Sequence, residues 1–289
     1  MKISLITVCY NSAGTLRTAM DSVLSQRGVD VEYIVVDGGS DDGTVDIIKE
    51  YAAKTNDQRL TTNDFTFKWL SEKDRGMYDA INKGIKMATG DVVGILNADD
   101  VLAADDTLAH IAAAFDPSKQ TTLNSKLLHS PTPSLTRFST VDCVYADIRF
   151  VKDGDSVAAL RSAKTVRYCS AARFRSWMFR FAVMVPHPSF YVRRECFDRL
   201  GDYSLDYRIC ADFELVLRFL GIAKLRSAYL PECVVLMRMG GASTAGWRSN
   251  VEINREDLRA LRAHGIWSCL PLIYMKYLFK IWGFVFKRG

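Results

Sequence analysis

Residues 97–100, Asn97-Ala98-Asp99-Asp100, set an amide and two carboxylates at the end of an apolar run over residues 92–96. The run reads as a short buried strand, and in an open α/β sheet ligands sit at the carboxyl ends of strands. Adjacent carboxylates at such an edge suit a hard divalent cation shared with phosphate oxygens. The same residues also serve as turn and helix-cap chemistry. Alone, the cluster reads equally as a metal site or an acidic turn.

A second loop, Asp37-Gly38-Gly39-Ser40-Asp41-Asp42-Gly43-Thr44, follows another apolar run. Its early glycines permit a tight turn and close approach of a flat ligand, and Thr44 can cap the next helix. An acid ending the strand is placed to hold the base or ribose of a nucleotide. The spacing is not G-x-G-x-x-G, which disfavours a dinucleotide fold. The competing interpretation is a glycine-rich turn with a capping Asp.

These loops need a scaffold, and the first half of the chain alternates strand and helix patterns. Strands are expected over residues 3–8, 31–36, 67–70 and 91–96, with helices over 13–26, 44–53 and 77–88. That rhythm predicts βαβ units and a parallel sheet with right-handed crossovers. Strand patterns resume at 143–150, 188–192 and 224–229, with a helix at 211–220. Residues 54–66 and the Ser/Thr/Pro-rich stretch 117–140 read as loops.

At 289 residues and 48% hydrophobic, the chain suits one large domain, or one domain with an appended subdomain. The first strand starts at Lys2, so no signal peptide is expected ahead of it. Seven scattered cysteines without a C-x-x-C pair argue against a disulfide framework or structural zinc and fit a reducing cytoplasm. The net charge of +5 is unevenly distributed. Eight bases and no acid lie between Asp155 and Glu195, and six bases and no acid follow Asp257. Such segregation points to an anionic partner such as phosphates, nucleic acid or a membrane surface.

Thr7-Val8-Cys9-Tyr10-Asn11, residues 36–44 and Asn97-Ala98-Asp99-Asp100 each close a strand, in that order. Together they resemble glycosyltransferase family 2, whose members have the GT-A fold: α/β, with a Rossmann-like, mostly parallel central sheet flanked by helices. The block from Ser71 to Gly84 is similar to the subgroup that builds bacterial capsule, exopolysaccharide and O-antigen units. The likeness spans about residues 1–115 and resumes over about 142–245.

The resemblance implies roles. Thr7, Tyr10 and Asp37 would cradle the base of a nucleotide-sugar donor, with Asp37 accepting a hydrogen bond from a pyrimidine. Asp74 and Arg75 would lie over the nucleotide. Asn97-Ala98-Asp99 matches a D-x-D motif with Asn97 in place of its first acid. Asn97 would face the ribose, and Asp99 would bind the Mn²⁺ or Mg²⁺ that bridges the diphosphate. Sugar transfer needs charge stabilisation on the departing diphosphate, which a bound cation supplies, and a base for the acceptor hydroxyl. Asp212, in Arg208-Ile209-Cys210-Ala211-Asp212-Phe213-Glu214-Leu215, resembles the family's base-bearing helix start. Without the resemblance it reads as an acid favoured by the helix macrodipole. Glu214, two residues on, points away from Asp212 on a helix and is the weaker candidate. His187 would lie near acceptor or sugar. Gly240 and Gly241 resemble the hinge of a loop closing over the donor.

Residues 266–286 are apolar and aromatic, interrupted by Lys276 and Lys280. They read as an interfacial helix on an anionic membrane or as a helix packed on the core; a transmembrane span is disfavoured. Residues 161–181 interleave Arg with aromatics, which suits a lipid-linked diphosphate acceptor at a membrane better than nucleic acid. The expected layout is a nucleotide-sugar half (1–115), a loop insertion (116–141), an acceptor and catalytic-base half (142–250) and C-terminal helices (251–289). The activity so implied is metal-dependent, inverting transfer from a nucleotide-diphosphate sugar, most simply UDP-linked. The acceptor would be a glycan or polyprenyl-diphosphate-linked sugar in bacterial surface polysaccharide synthesis, at the cytoplasmic face of the membrane. A sugar nucleotidyltransferase and a non-catalytic scaffold are the alternatives. The first lacks its glycine-rich first-strand loop, and the joint presence of Asp37, Asp99 and Asp212 speaks against the second.

Overall fold

The structure, a computed structural model, describes residues 1–55, 65–116, 140–239 and 246–277. Four strands, β1 (Lys2–Cys9), β2 (Asp30–Asp37), β3 (Phe65–Ser71) and β4 (Val92–Ile95), pair in parallel in the order β3-β2-β1-β4. They are linked by α1 (Leu16–Leu24), α2 (Thr44–Thr55) and α3 (Met77–Met87). β1 and β2 are buried along almost their whole length, as expected of parallel strands covered on both faces. Alternation along β1 sends Ile3, Leu5 and Cys9 into one core with Leu16, Met20 and Tyr33. Ile6 and Val8 enter a second core with Tyr78, Ile81 and Ile85 of α3.

The expected parallel sheet is confined to this half. β5 (Val101–Leu102), β6 (Cys143–Val151), β7 (Thr165–Cys169), β8 (Tyr191–Arg193) and β9 (Ser227–Arg238) extend it mainly by antiparallel pairing, with α4 (Thr107–Phe115) between β5 and β6. Only β6 and β9 run parallel there. The halves join where β8 lies antiparallel beside β4. Gly94 makes this possible, because a Cβ there would sit 2.2 Å from the Tyr191 ring. Three helices were not anticipated: α4, α5 (Val157–Ser162) and α6 (Arg194–Leu200), while the long α8 (Gly246–Ala263) and the short α9 (Leu270–Tyr274) overlap the expected C-terminal helices. The expected helix over 211–220 is α7 (Ala211–Val216), which continues as a π turn over Leu217–Ile222.

Several of the segregated bases are engaged within the fold. Arg161 pairs with Asp105 at 2.6 Å, Arg193 donates to the Val141 carbonyl, and Arg194 donates to Gly90 and reaches Asp198. The aromatic interleaving over 161–181 is core packing for the most part. Phe174, Met178 and Phe179 are buried, Tyr168 donates to Asp147, and only Trp177 stands well exposed. Lys276 likewise faces inward, donating to Asp257 Oδ2 at 2.7 Å with both side chains buried. It therefore does not belong to a basic membrane-facing stripe. No helix among the described residues is long and apolar enough to cross a membrane.

Candidate active site

Three loops meet at the carboxyl end of the parallel strands. Gly38 is the point of closest approach: a Cβ there would lie 2.7 Å from Asp74 Oδ2 and 3.4 Å from the Tyr10 ring. The missing side chain lets loops from β1, β2 and β3 share one floor. Tyr10 is 65% exposed, a ring standing free beside that floor. Asp74 accepts from the Gly76 amide at 2.8 Å, which fixes the turn into α3. Arg75 is exposed and pairs with Asp79 at 3.0 Å.

Two residues expected to touch a nucleotide are turned to other work. Thr7 is fully buried, and its hydroxyl accepts from Tyr33 at 3.0 Å, because its register points it into the core beneath the site. Asp37 is also fully buried and holds its own loop together. It accepts from the Gly39 and Ser40 amides at 3.1 and 3.0 Å, from Ser71 Oγ at 2.7 Å, and from Ser40 Oγ. Burial pushes its carboxyl upward, but these donors outweigh it and hold the group below the usual range. Its lone pairs are thus spent on the loop.

At the end of β4, Asn97 Nδ2 donates to Asp100 Oδ2 at 2.8 Å. Burial, then the neighbouring Asp99 charge, push Asp100 well above the ordinary carboxylate range. Its Oδ1 is buried without a partner. The Asp99 carboxylate makes no hydrogen bond or ion pair among the described residues, while its backbone carbonyl accepts from Arg238 Nε at 3.0 Å. No group of three or more His, Cys, Asp or Glu among the described residues forms a metal cage. One unspent carboxylate beside an orphaned acid oxygen nevertheless fits a hard cation that takes its remaining ligands from phosphate and water.

Asp212 opens α7, half-buried, with Oδ1 accepting from its neighbour Phe213 at 2.8 Å and facing the Tyr78 hydroxyl at 3.2 Å. Burial pushes its pKa up to about 6. The turn before it is clasped by Glu256 of α8, which accepts from the amides of Arg208, Ile209 and Cys210 at 2.9–3.0 Å. His187 joins this cluster indirectly. Its Nε2 lies 2.6 Å from the Tyr203 hydroxyl, and the Tyr203 ring stacks on Tyr78 at 5.7 Å. Burial lowers His187 to about 4, so the ring is neutral. Glu214 is buried and bound to Arg218 at 2.9 Å and His264 at 2.8 Å. Gly240 and Gly241 lie outside the described residues.

Sequence reasoning missed Tyr78, Glu256 and Arg238 as parts of the site. Tyr78 and Arg238 sit inside stretches it had marked, but their partners lie more than 100 residues away.

The fold is that of GT-A glycosyltransferases. Staphylococcus aureus TarS (residues 1–349) in complex with UDP-GlcNAc superposes with a TM-score of 0.60 at 16% identity, over 98% of this chain and 73% of that one. The Pyrobaculum calidifontis mannosyltransferase PcManGT, in complex with GDP-Man and Mn²⁺, gives 0.57 at 21% identity over 98% and 72%. Residues 4–125 match the Glycosyl transferase family 2 model. A PGL/p-HBAD biosynthesis glycosyltransferase of Mycobacterium bovis is 28% identical over 258 residues, 89% of this chain and 83% of its own.

Proposed function

We propose that this glycosyltransferase transfers a sugar, with inversion, from a nucleotide-diphosphate donor to an acceptor hydroxyl, with Asp212 as the base. UDP-sugars are the first choice of donor. The observation that carries the reading is Asp212 itself: a half-buried carboxylate raised to about 6, one residue into a helix and joined through Tyr78 to the donor loop. At neutral pH such a group is mostly ionised yet more basic than an ordinary carboxylate, which suits a general base.

Tyr10 and the loop held by Asp37 receive the base, Asn97 meets the ribose, and Asp74 and Arg75 border the nucleotide. Asp99 would hold a Mn²⁺ or Mg²⁺, which when bound would supply Lewis-acid stabilisation to the leaving diphosphate. Asp212 takes the proton from the acceptor hydroxyl as its oxygen bonds to the anomeric carbon, while the bond from that carbon to the phosphate oxygen breaks. Attack opposite the leaving group inverts the centre. His187 and Tyr203 hold the wall behind Tyr78. The nucleotide-sugar ligands of the two structural relatives support this donor class.

A glycan or polyprenyl-diphosphate-linked acceptor at the inner face of the membrane, in surface polysaccharide synthesis, fits the exposed apolar residues Trp177, Trp267, Leu270 and Tyr274. The Ser268–Arg180 hydrogen bond at 2.6 Å ties the two segments that carry them. The layout of donor half, acceptor half and C-terminal helices belongs to the same reading.

The test is to incubate purified protein with a panel of UDP- and GDP-sugars, Mn²⁺ and a lipid-linked acceptor. Release of nucleoside diphosphate supports the reading. Release of pyrophosphate would make the protein a nucleotidyltransferase, and absence of turnover with every donor would make it a binding protein.

A further inference from the structure

Asp212 faces one side-chain donor that sequence reasoning had not assigned. Tyr78 lies in the first turn of α3, two residues after Gly76, and its ring is buried against Tyr203. Its hydroxyl stands between two acceptors, the Ile209 carbonyl and Asp212 Oδ1. We propose that Tyr78 is the positioning residue for the base, orienting the Asp212 carboxylate by donating to it when it is ionised and turning to the Ile209 carbonyl when it is protonated. This rests on the reading of Asp212 as base.

The geometry supplies three reasons. First, a phenol has one proton, and between a carbonyl and a carboxylate the charged acceptor forms the stronger bond. Ionised Asp212 therefore draws the hydroxyl, and protonation releases it to Ile209 without leaving it unpaired. Second, both acceptors lie on the turn that Glu256 clamps through three backbone amides, so the carboxylate and its alternative are held at fixed positions. Third, the Tyr78 ring is stacked on Tyr203, whose amide and carbonyl are bonded to Asn82 of the same helix at 2.9 and 2.8 Å. The hydroxyl has little freedom to leave. The phenol itself stays protonated, because burial and then the Asp212 charge push it far above its ordinary range.

The other groups that bear on Asp212 oppose its ionisation or are neutral. Glu256 of α8 adds a negative charge, Asp257 beside it is paired with Lys276, and the buried Cys210 thiol and Tyr203 phenol carry no charge. Among the side chains facing it, Tyr78 is thus the group that favours the ionised form.

The experiment is to follow the Asp212 carboxyl by ¹³C NMR in wild-type protein, Tyr78→Phe and Tyr203→Phe, assigning the signal by its loss in Asp212→Asn. This readout needs no substrate. Tyr78→Phe should titrate about one pH unit higher, the scale of one hydrogen bond to a charged group. Tyr203→Phe, which keeps the Tyr78 hydroxyl, should titrate where wild type does. The acidic limb of kcat should move up with the Tyr78→Phe titration while KM for the donor stays within twofold. A hydroxyl serving only the Ile209 carbonyl would lower the melting temperature and leave both titration and limb in place, which would overturn the proposal. Should Tyr78→Phe not fold, wild-type protein labelled at tyrosine Cζ decides. One resonance must follow the Asp212 inflection and lose it in Asp212→Asn, and absence of such a resonance counts against the proposal. Retained turnover in Asp212→Asn would remove the base reading alone, since the NMR shift stands without it.

Discussion

Arg238, at the end of β9, donates from Nε to the backbone carbonyl of Asp99 at 3.0 Å, so the last long strand anchors the candidate metal-binding loop. The same guanidinium donates to the Gly154 carbonyl at 2.6 Å, to Asp153 and to Thr18, and the side chain is only 9% exposed. Arg238→Ala leaves two carbonyls without their donor. We expect a loss of about 2–3 kcal/mol in urea unfolding, together with weaker Mn²⁺-dependent nucleotide binding. Unchanged nucleotide affinity would separate this staple from the site.

Gly38→Ala tests the convergence of the three loops. The added methyl would meet Asp74 Oδ2 at 2.7 Å, and a carboxylate in a surface turn can rotate away. Calorimetric titration with UDP should show affinity about tenfold weaker, roughly 1.4 kcal/mol, with melting temperature nearly unchanged. Unaltered affinity would place the nucleotide elsewhere.

Glu32 gives a pH signature independent of catalysis. It is fully buried, with Lys68 at 2.6 Å, Ser4 at 2.5 Å, and the Thr89 amide and hydroxyl both at 2.7 Å. Burial pushes its carboxyl up, but these donors prevail and lower it to about 2. Its contribution is therefore complete above the unfolded value near 4.5 and is lost as pH falls toward 2. Wild type should exceed Glu32→Gln by about 2 kcal/mol at pH 7, and the gap should close between pH 5 and pH 2. A constant gap would show that ionisation of Glu32 is not the source.

Lys276→Ala tests the docking of the C-terminal segment. Removing one partner of a buried pair leaves Asp257 uncompensated, at a cost of about 3–5 kcal/mol, read by thermal unfolding. Because Lys276 points inward, binding to anionic vesicles at a temperature where the variant is folded should be unaltered. Loss of vesicle binding would return Lys276 to a membrane-facing role.

The sequence made the parallel half legible, since β1, β2 and β4 are mostly apolar runs and each ends in a loop of distinctive composition. Asn97 and Asp99 could be picked out for that reason, whereas Asp74 and Asp212 were singled out only by the resemblance to a known family. What it could not convey was which way each side chain points. Thr7 shares a motif with the exposed Tyr10, and Asp37 stands in the next such motif, but the register of β1 and the closure of the Asp37 loop turn both inward. Glu214 and Lys276 look available as charges until Arg218, His264 and Asp257 arrive from other elements. The pairing of Tyr78 with Asp212 spans 134 residues and has no local signature. β5 and β8 are only two and three residues long, too short to show a period.

The most direct test of Asp212 as base is Asp212→Asn, assayed with the donor that wild type turns over. Transfer should fall at least about a thousandfold while nucleotide affinity stays within a few-fold. Because the folded carboxyl is raised from 3.8 to about 6, its burial cost is absent at acid pH, grows as pH rises between those two values and is complete above 6. The variant should therefore be more stable than wild type by about 2 kcal/mol at pH 8 and not at pH 4. Wild-type kcat should rise with pH through a midpoint near 6 as the base ionises. Transfer within tenfold of wild type in Asp212→Asn would contradict the account.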